Sequence, residues 1–308
     1  MRMLALILMT IALVACTAPV TPTATPAITP SVAAPATPTL APTTLPTVAA
    51  SPAARQTPLI VAHRGGAALA PENTLAAFQN ALQIGVDMVE CDVHLTKDGE
   101  VIVMHDFAVS RTTNGSGEIG DLTLAEINKL NAAAKFPGGN FPAQSVPTLG
   151  ELLDLVKGKA DIQIEIKLGA GNRRYPGIER QVVDLINRRG MTDNVLIISF
   201  DFPTLQEVKA IDARFKTGAL VNTTWMSSRA LAAPERVVAE AVEASGADYF
   251  LPPFGTVVPA LVTAVHARGL KIGTWTVNVP QDMQRLAGYG VDAITSDQPD
   301  VLRQTLGR

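Results

Sequence analysis

Apolar and polar positions along the chain fall into two regimes that meet near residue 58. From there on, short β-type runs alternate with helical patterns. The β-type runs cover 59–62, 88–92, 101–104, 162–166, 195–199, 217–221, 248–251, 271–276 and 292–295. Helical spacing of apolar residues covers 74–84, 149–156, 178–189, 204–211, 234–244, 257–267 and 281–287. Asn73 or Thr74 can cap the first helix, and Thr148 with Glu151 has capping-box spacing. Gly85, Gly190, Gly246, Gly269 and Gly290 each stand just past a helical pattern, where a left-handed residue ends a helix. Strand and helix alternating over about 250 residues predicts a parallel sheet covered by helices, and that length suits a (β/α)8 TIM barrel.

Nine β-type runs are one too many for such a barrel. Asp98-Gly99 resolves the excess, because Asp-Gly favours a two-residue hairpin turn. The run 101–104 then returns antiparallel as part of a β-hairpin after the second barrel strand, and a small insertion at about 106–146 follows it. With Lys97 opposite Glu100, Asp92 falls opposite His105. Glu90, Asp92 and His105 then project to one face.

Before residue 58 the texture is different. Residues 1–15 hold one Arg and an apolar run too short for a convincing membrane span, the pattern of a signal peptide. The run stops at Leu13-Val14-Ala15-Cys16, which resembles the lipobox of bacterial lipoproteins. That resemblance implies cleavage before Cys16, lipidation of its thiol, and an extracytoplasmic protein anchored to the bacterial membrane. Residues 17–57 are mostly Thr, Ala, Pro, Val and Ser, a composition that cannot bury enough surface to fold and that Pro biases toward an extended tether. Three parts are therefore expected: a signal peptide at 1–15, a lipidated Cys and tether at 16–57, and a barrel domain at 58–308. Arg2 and Arg55 are the only charges before residue 58, so the barrel domain carries 28 acids against 23 bases, net −5. No basic stripe is present to neutralise nucleic-acid phosphates. With only Cys16 and Cys91, neither a disulfide framework nor a multi-cysteine metal site is available.

In a barrel of this type the chemistry gathers where strands end at their C-terminal side. Those ends supply His63-Arg64, Glu90 with Asp92, Glu165 with Lys167, Ser199-Phe200, Trp275 and Asp297, joined by His105 from the hairpin. Three carboxylates close together need a cation, and oxygen-only ligands select a hard divalent ion such as calcium or magnesium. Arg and Lys beside it suit a phosphate. Two His, titrating near neutrality, suit general acid–base work. Plainer assignments fall to other residues. Cys91 reads as a small buried apolar group on the face opposite Glu90, His94 as a rim or surface group, His266 as a solvated helix end, and Arg173-Arg174 as loop charges. Trp275 suits barrel packing as well as a substrate wall, and Asp297 reads first as a helix cap.

The motifs resemble the glycerophosphodiester phosphodiesterase family, within the phospholipase C-like phosphodiesterases. They run in order: His63-Arg64-Gly65, Pro71-Glu72-Asn73-Thr74, Glu90-x-Asp92-Val93, Thr96-Lys97-Asp98-Gly99, His105-Asp106, Arg111-Thr112-Thr113-Asn114-Gly115, Glu165-Ile166-Lys167, Trp275-Thr276-Val277-Asn278 and Ser296-Asp297-Gln298-Pro299. The resemblance implies metal-dependent hydrolysis of a glycerophosphodiester to sn-glycerol 3-phosphate and an alcohol. It makes His63 and His105 the acid–base pair, with His63 preferred as base. Glu90, Asp92 and Glu165 become ligands of one divalent ion, calcium or magnesium. Arg64 and Lys167 contact the phosphate, and Glu72, Asn73, Phe200 and Trp275 complete the substrate site. Implied partners are the small-molecule substrate and, through Cys16, the membrane; no obligate protein partner follows. Two other readings are a lysophospholipase D-like enzyme and a non-catalytic surface solute-binding lipoprotein.

Overall fold

Runs of Val, Ile and Leu become strands wherever both their faces can be buried. In the structure, a computed structural model that describes residues 57–229 and 232–308, these are β1 (Leu59–Ala62), β2 (Met88–Leu95), β3 (Val101–Val103), β4 (Asp161–Ile166), β5 (Val195–Ser199), β6 (Lys216–Leu220), β7 (Tyr249–Leu251), β8 (Lys271–Thr274) and β9 (Ala293–Ser296). Eight of them pair in parallel in the order β1, β9, β8, β7, β6, β5, β4, β2, and a β1–β2 pairing closes the ring. β3 lies outside the ring, antiparallel to β2. The expected TIM barrel with a hairpin after its second strand is the observed fold. Residues 1–56, with the expected signal peptide, Cys16 and nearly all of the expected tether, lie outside the described residues. Among the described residues no helix is long and apolar enough to cross a membrane.

The helices are α1 (Leu75–Ile84), α2 (Leu124–Ile127), α3 (Leu149–Val156), α4 (Ile178–Arg189), α5 (Phe202–Ile211), α6 (Thr223–Ser227), α7 (Pro234–Ser245), α8 (Pro259–His266), α9 (Pro280–Tyr289) and α10 (Pro299–Thr305). Thr74 caps α1 by accepting from the Ala77 amide, and the Thr148–Glu151 capping box closes on α3. Three short helices, α2, α6 and α10, had no periodic signal. Each is held by its surroundings rather than by an amphipathic stripe of its own, as helices of one or two turns must be.

The hairpin departs from expectation by one residue. The observed pairs are Val93–Val103, His94–Ile102 and Leu95–Val101. The loop is Lys97-Asp98-Gly99, three residues long, with Gly99 in the left-handed region at φ 86°. The Thr96 hydroxyl donates to Asp98 and accepts from the Glu100 amide, and Thr96 N donates to the Glu100 carbonyl, which closes the loop one position early. Asp92 therefore meets Met104 rather than His105. His105 lies two residues past the end of β3 and still lines the cavity at the barrel mouth.

Alternation divides the apolar residues between two cores. Ile60, Val89, Cys91, Ile164 and Ile197 point outward and pack with Phe78, Leu153 and Val182 of the helices. Val61, Met88, Leu196, Ile198, Leu220, Leu251 and Ala293 fill the barrel interior. A third core of Ile102, Met104, Val109, Ile119, Ile127, Ala132 and Val146 holds the insertion beside the hairpin. Leu251 occupies space left by two glycines: a Cβ on Gly218 would lie 2.7 Å from its Cδ1, and one on Gly273 would lie 2.8 Å from its Cδ2. A Gly218 Cβ would also lie 3.0 Å from Ile198 Cγ2, and Leu251 and Ile198 are both buried in the barrel interior. Gly218→Val is expected to cost about 1–3 kcal/mol through overpacking, read as a lower urea midpoint at unchanged slope.

Candidate active site

Period-two alternation sends Glu90 and Asp92 of β2 inward, and parallel register sets Gln163 beside Glu90 and Glu165 beside Asp92. All three carboxylates are buried, at 2%, 1% and 8% exposure. One oxygen of each lies within 4.8 Å of the others, a geometry that can hold a metal ion. Lys167 Nζ lies 2.8 Å from Glu165 and 3.4 Å from Asp92, and Arg64 Nε lies 3.5 Å from Asp92. The Arg64 backbone N–H donates to Glu90 at 2.8 Å. Asn73, at φ 57°, donates its amide to Asp92 at 2.9 Å. Asp92 Oδ1 nevertheless finds no hydrogen-bond donor.

The electrostatics show what is missing. Burial and the neighbouring Asp92 push Glu90 up to about 8. Burial also opposes ionisation of Asp92, but Lys167 and Arg64 outweigh it and hold that carboxyl well below the usual range. Two side-chain cations thus serve three acids, and both Glu90 and Glu165 are left raised, Glu90 despite the opposing pull of His63 and Arg64. A hard divalent ion suits this donor set: it would engage Asp92 Oδ1, which has an ion pair with Lys167 Nζ at 3.4 Å but no hydrogen bond, and replace the proton on Glu90.

Both candidate histidines face one cavity of about 180 Å³. Its polar side comprises His63, Arg64, Glu90, His105, Gln163, Glu165 and Lys167; its apolar side comprises Ile198, Phe200, Leu220, Leu251 and Trp275. Phe200 and Trp275 meet edge to face at 5.5 Å, and the Trp275 indole N–H is tied to the Leu251 carbonyl. His63 Nδ1 is 2.6 Å from Asp297, whose other oxygen accepts from Asn278. His105 Nδ1 is 2.6 Å from Asp106. Burial depresses His63, but the Asp297 hydrogen bond and Glu90 outweigh it, so its pKa is raised. Burial lowers His105, and Lys167 and Arg64 add to that against Asp92.

The model of the glycerophosphoryl diester phosphodiesterase family matches residues 63–301. The chain belongs to that family. It is 40% identical over 245 residues to the glycerophosphodiester phosphodiesterase of Caldanaerobacter subterraneus, covering 79% of this chain and 96% of that one. It is 32% identical to the corresponding enzyme of Bacillus subtilis, covering 80% and 85%. Among solved structures, a putative glycerophosphoryl diester phosphodiesterase from Silicibacter pomeroyi superposes with TM-score 0.71 at 28% identity, covering 81% of this chain and 93% of that one. A phosphodiesterase from Oleispira antarctica, solved with the product sn-glycerol-3-phosphate, superposes with TM-score 0.65 at 25% identity, covering 82% and 98%. Family and relatives together make this chain an enzyme, a phosphoric diester hydrolase of the glycerophosphodiester phosphodiesterase type.

Within that family frame, the structure brings His63, Arg64, Glu90, His105, Glu165, Lys167, Phe200 and Trp275 to the cavity wall. Glu72 and Asn73 are not on that wall: Glu72 pairs with Arg64 and Arg111, and Asn73 holds Asp92. Asp297 is no helix cap; it braces His63, and Gln298 stands at the start of α10. Its place at the end of β9 was the available signal. His94 is not a rim group. It is 1% exposed, with Nδ1 3.0 Å from the Tyr175 hydroxyl and Nε2 3.0 Å from the His105 carbonyl. Burial lowers it to about 4, so it stays neutral, donating from Nε2 and accepting at Nδ1. The signal was there: period-two spacing puts His94 on the face of Glu90 and Asp92, and only its place near the hairpin end suggested a rim.

In the metal-free protein, folded Glu90 keeps its proton up to about pH 8, whereas the unfolded chain releases it near the ordinary 4.5. Folding therefore takes up a proton between those values, and this contribution to stability is lost as pH rises through the window. A divalent ion removes that loss. Calorimetry should show added calcium or magnesium raising Tm more at about pH 8 than at about pH 5; equal shifts would place the ion elsewhere.

Proposed function

We propose that this chain hydrolyses a glycerophosphodiester to sn-glycerol 3-phosphate and a free alcohol, using His63 and His105 as an acid–base pair beside one divalent ion, calcium or magnesium. The observation that carries this reading is the pair of imidazoles on one cavity wall, each with Nδ1 engaged by a carboxylate. That arrangement leaves Nε2 of each ring for the substrate and fixes its tautomer. Glu90, Asp92 and Glu165 would hold the ion, which when bound supplies charge stabilisation to the phosphoryl oxygens.

His63 takes the proton from the nucleophile, which is either a water or a neighbouring substrate hydroxyl whose cyclic phosphate a water then opens by the reverse proton transfers, and Asp297 supports the imidazolium that forms. His105 gives its proton to the departing alkoxide as the phosphorus–oxygen bond breaks. Raised basicity at His63 and lowered basicity at His105 favour this division of labour, since the first ring accepts more readily and the second donates more readily. Arg64 and Lys167 orient the phosphate from the polar side, while Phe200 and Trp275 wall in the carbon skeleton from the other.

The apolar wall also supports a lysophospholipase D-like reading. A cavity of about 180 Å³ is smaller than the ~300–1,000 Å³ of drug-sized sites, so it suits a glycerophosphate head group, and an acyl chain would have to lie outside across Phe200. Two complete histidine–carboxylate pairs argue against a purely solute-binding role. The Leu13-Val14-Ala15-Cys16 sequence and the Pro/Thr/Ala-rich segment after it support a lipid-anchored, extracytoplasmic form, with residues 16–57 as its tether and 58–308 as the barrel domain.

Release of glycerol 3-phosphate from glycerophosphocholine should stop with chelator and return with one of the two metals. His63→Ala should lower kcat by ~10²–10⁴-fold. No release with either metal, while lysophosphatidylcholine is cleaved, would transfer the assignment to the second reading. Asp297→Asn removes the hydrogen bond that raises His63; because His63 is the group of higher pKa in the pair, it sets the alkaline limb of the pH–rate profile, which should move to lower pH with the acidic limb in place. An unmoved profile would mean that His63 does not titrate in the reaction. For the anchor, Cys16→Ala should abolish incorporation of labelled fatty acid and release the protein from membranes; labelling that persists in the variant would rule out Cys16.

A further inference from the structure

Arg111 lies in the insertion, 45% exposed and off the wall of the cavity. Its guanidinium nonetheless makes four hydrogen bonds to two carboxylates from different loops. Nη1 and Nη2 donate to the two oxygens of Glu72 at 2.8 and 2.7 Å. Nε and Nη2 donate to the two oxygens of Asp106 at 2.7 and 3.1 Å. Beyond each carboxylate stands a residue of the cavity wall. Glu72 accepts from Arg64 Nη1 at 3.0 Å, and Asp106 holds His105 Nδ1 at 2.6 Å. An unbroken chain thus runs Arg64–Glu72–Arg111–Asp106–His105 around the rim, tying the loop after β1 to the segment after β3.

We propose that Arg111 is a positioning residue for the reaction: it fixes the His105 ring through Asp106 and locks it at a set distance from Arg64 through Glu72. The inference rests on the acid–base role assigned above to His105. The two ends of the chain do not depend on Arg111 equally. Arg64 keeps its own bond to Glu72 and its place beside Asp92 whether or not Arg111 is present. Asp106 has no other Lys or Arg partner among the described residues. Without Arg111 it is free to turn toward solvent, and the histidine turns with it. Removing Arg111 should therefore disturb proton transfer more than substrate binding. A lysine cannot substitute, because one ammonium does not span two carboxylates in the fork geometry that a planar guanidinium provides.

The test measures kcat and KM on glycerophosphocholine for the wild type, Arg111→Met, Arg111→Lys, Asp106→Asn and the Arg111→Met/Asp106→Asn pair. In Arg111→Met, kcat is expected to fall on the order of 10–100-fold, the usual effect of removing a group that orients a reacting residue, with KM within about threefold. Arg111→Lys should recover little of that loss. Because the site is half exposed, free guanidinium at millimolar concentration should partly restore the Met variant. The double variant should be scarcely slower than the slower single one, because both changes release the same ring. A kcat within twofold of wild type in Arg111→Met overturns the proposal, as does a double variant in which the two losses multiply. If Arg111→Met does not fold, wild-type kcat in Arg111→Lys overturns it. A wild-type protein with no activity would instead overturn the proposed function, so the two failures are distinguishable.

Discussion

Like charge buried at the top of the barrel is the constraint from which the rest of the site follows. Glu90, Asp92 and Glu165 offer oxygens within 4.8 Å of one another. At that separation each pair of ionised carboxylates repels by about 3 kcal/mol at an effective dielectric of ~20. Lys167 and Arg64 are drawn in by that repulsion, Asn73 adopts a left-handed backbone to donate to Asp92, and the Arg64 amide is turned onto Glu90. These partners still fall one charge short. The shortfall appears on Glu90, which has a backbone N–H but no side-chain cation of its own, and it is what makes the cluster receptive to a divalent ion.

The two histidines are braced in different ways. His105 and Asp106 are neighbours in the chain, so their pairing needs only local geometry, and the exposed Arg111 secures it. His63 and Asp297 are 234 residues apart. They meet because the last strand, β9, pairs with the first, β1, setting Ala62 beside Ser296 at the mouth. Whatever opens that seam separates His63 from its carboxylate, so the stability of barrel closure and the readiness of one catalytic group are coupled. His94 and Tyr175 add a third brace: a buried, neutral imidazole links the His105 carbonyl to the segment leading into α4.

Much of this was legible along the chain, and for identifiable reasons. Strand and helix alternation depends on periodicity, which is local, so the eight barrel strands and their major helices were readable. So were the capping box at Thr148 and the rule that strand ends carry the chemistry, which picked out His63, Glu90, Asp92, Glu165 and Lys167. What tertiary structure decided were matters of register and distance. The hairpin closed on three loop residues because a threonine hydroxyl competed for the turn, a contest of side-chain hydrogen bonds that dipeptide preference does not capture. Asp297 became a partner of His63 rather than a helix cap, and His94 went from apparent surface to core. Arg111 gathered two carboxylates from separate loops, one of them 39 residues away in the chain. Sequence alone determined the repeating architecture and the stock of reactive groups, because both are carried by residue type and short-range spacing. Which of those groups touch was left to the closed ring, because only its closure sets the distances between strand ends far apart in the chain.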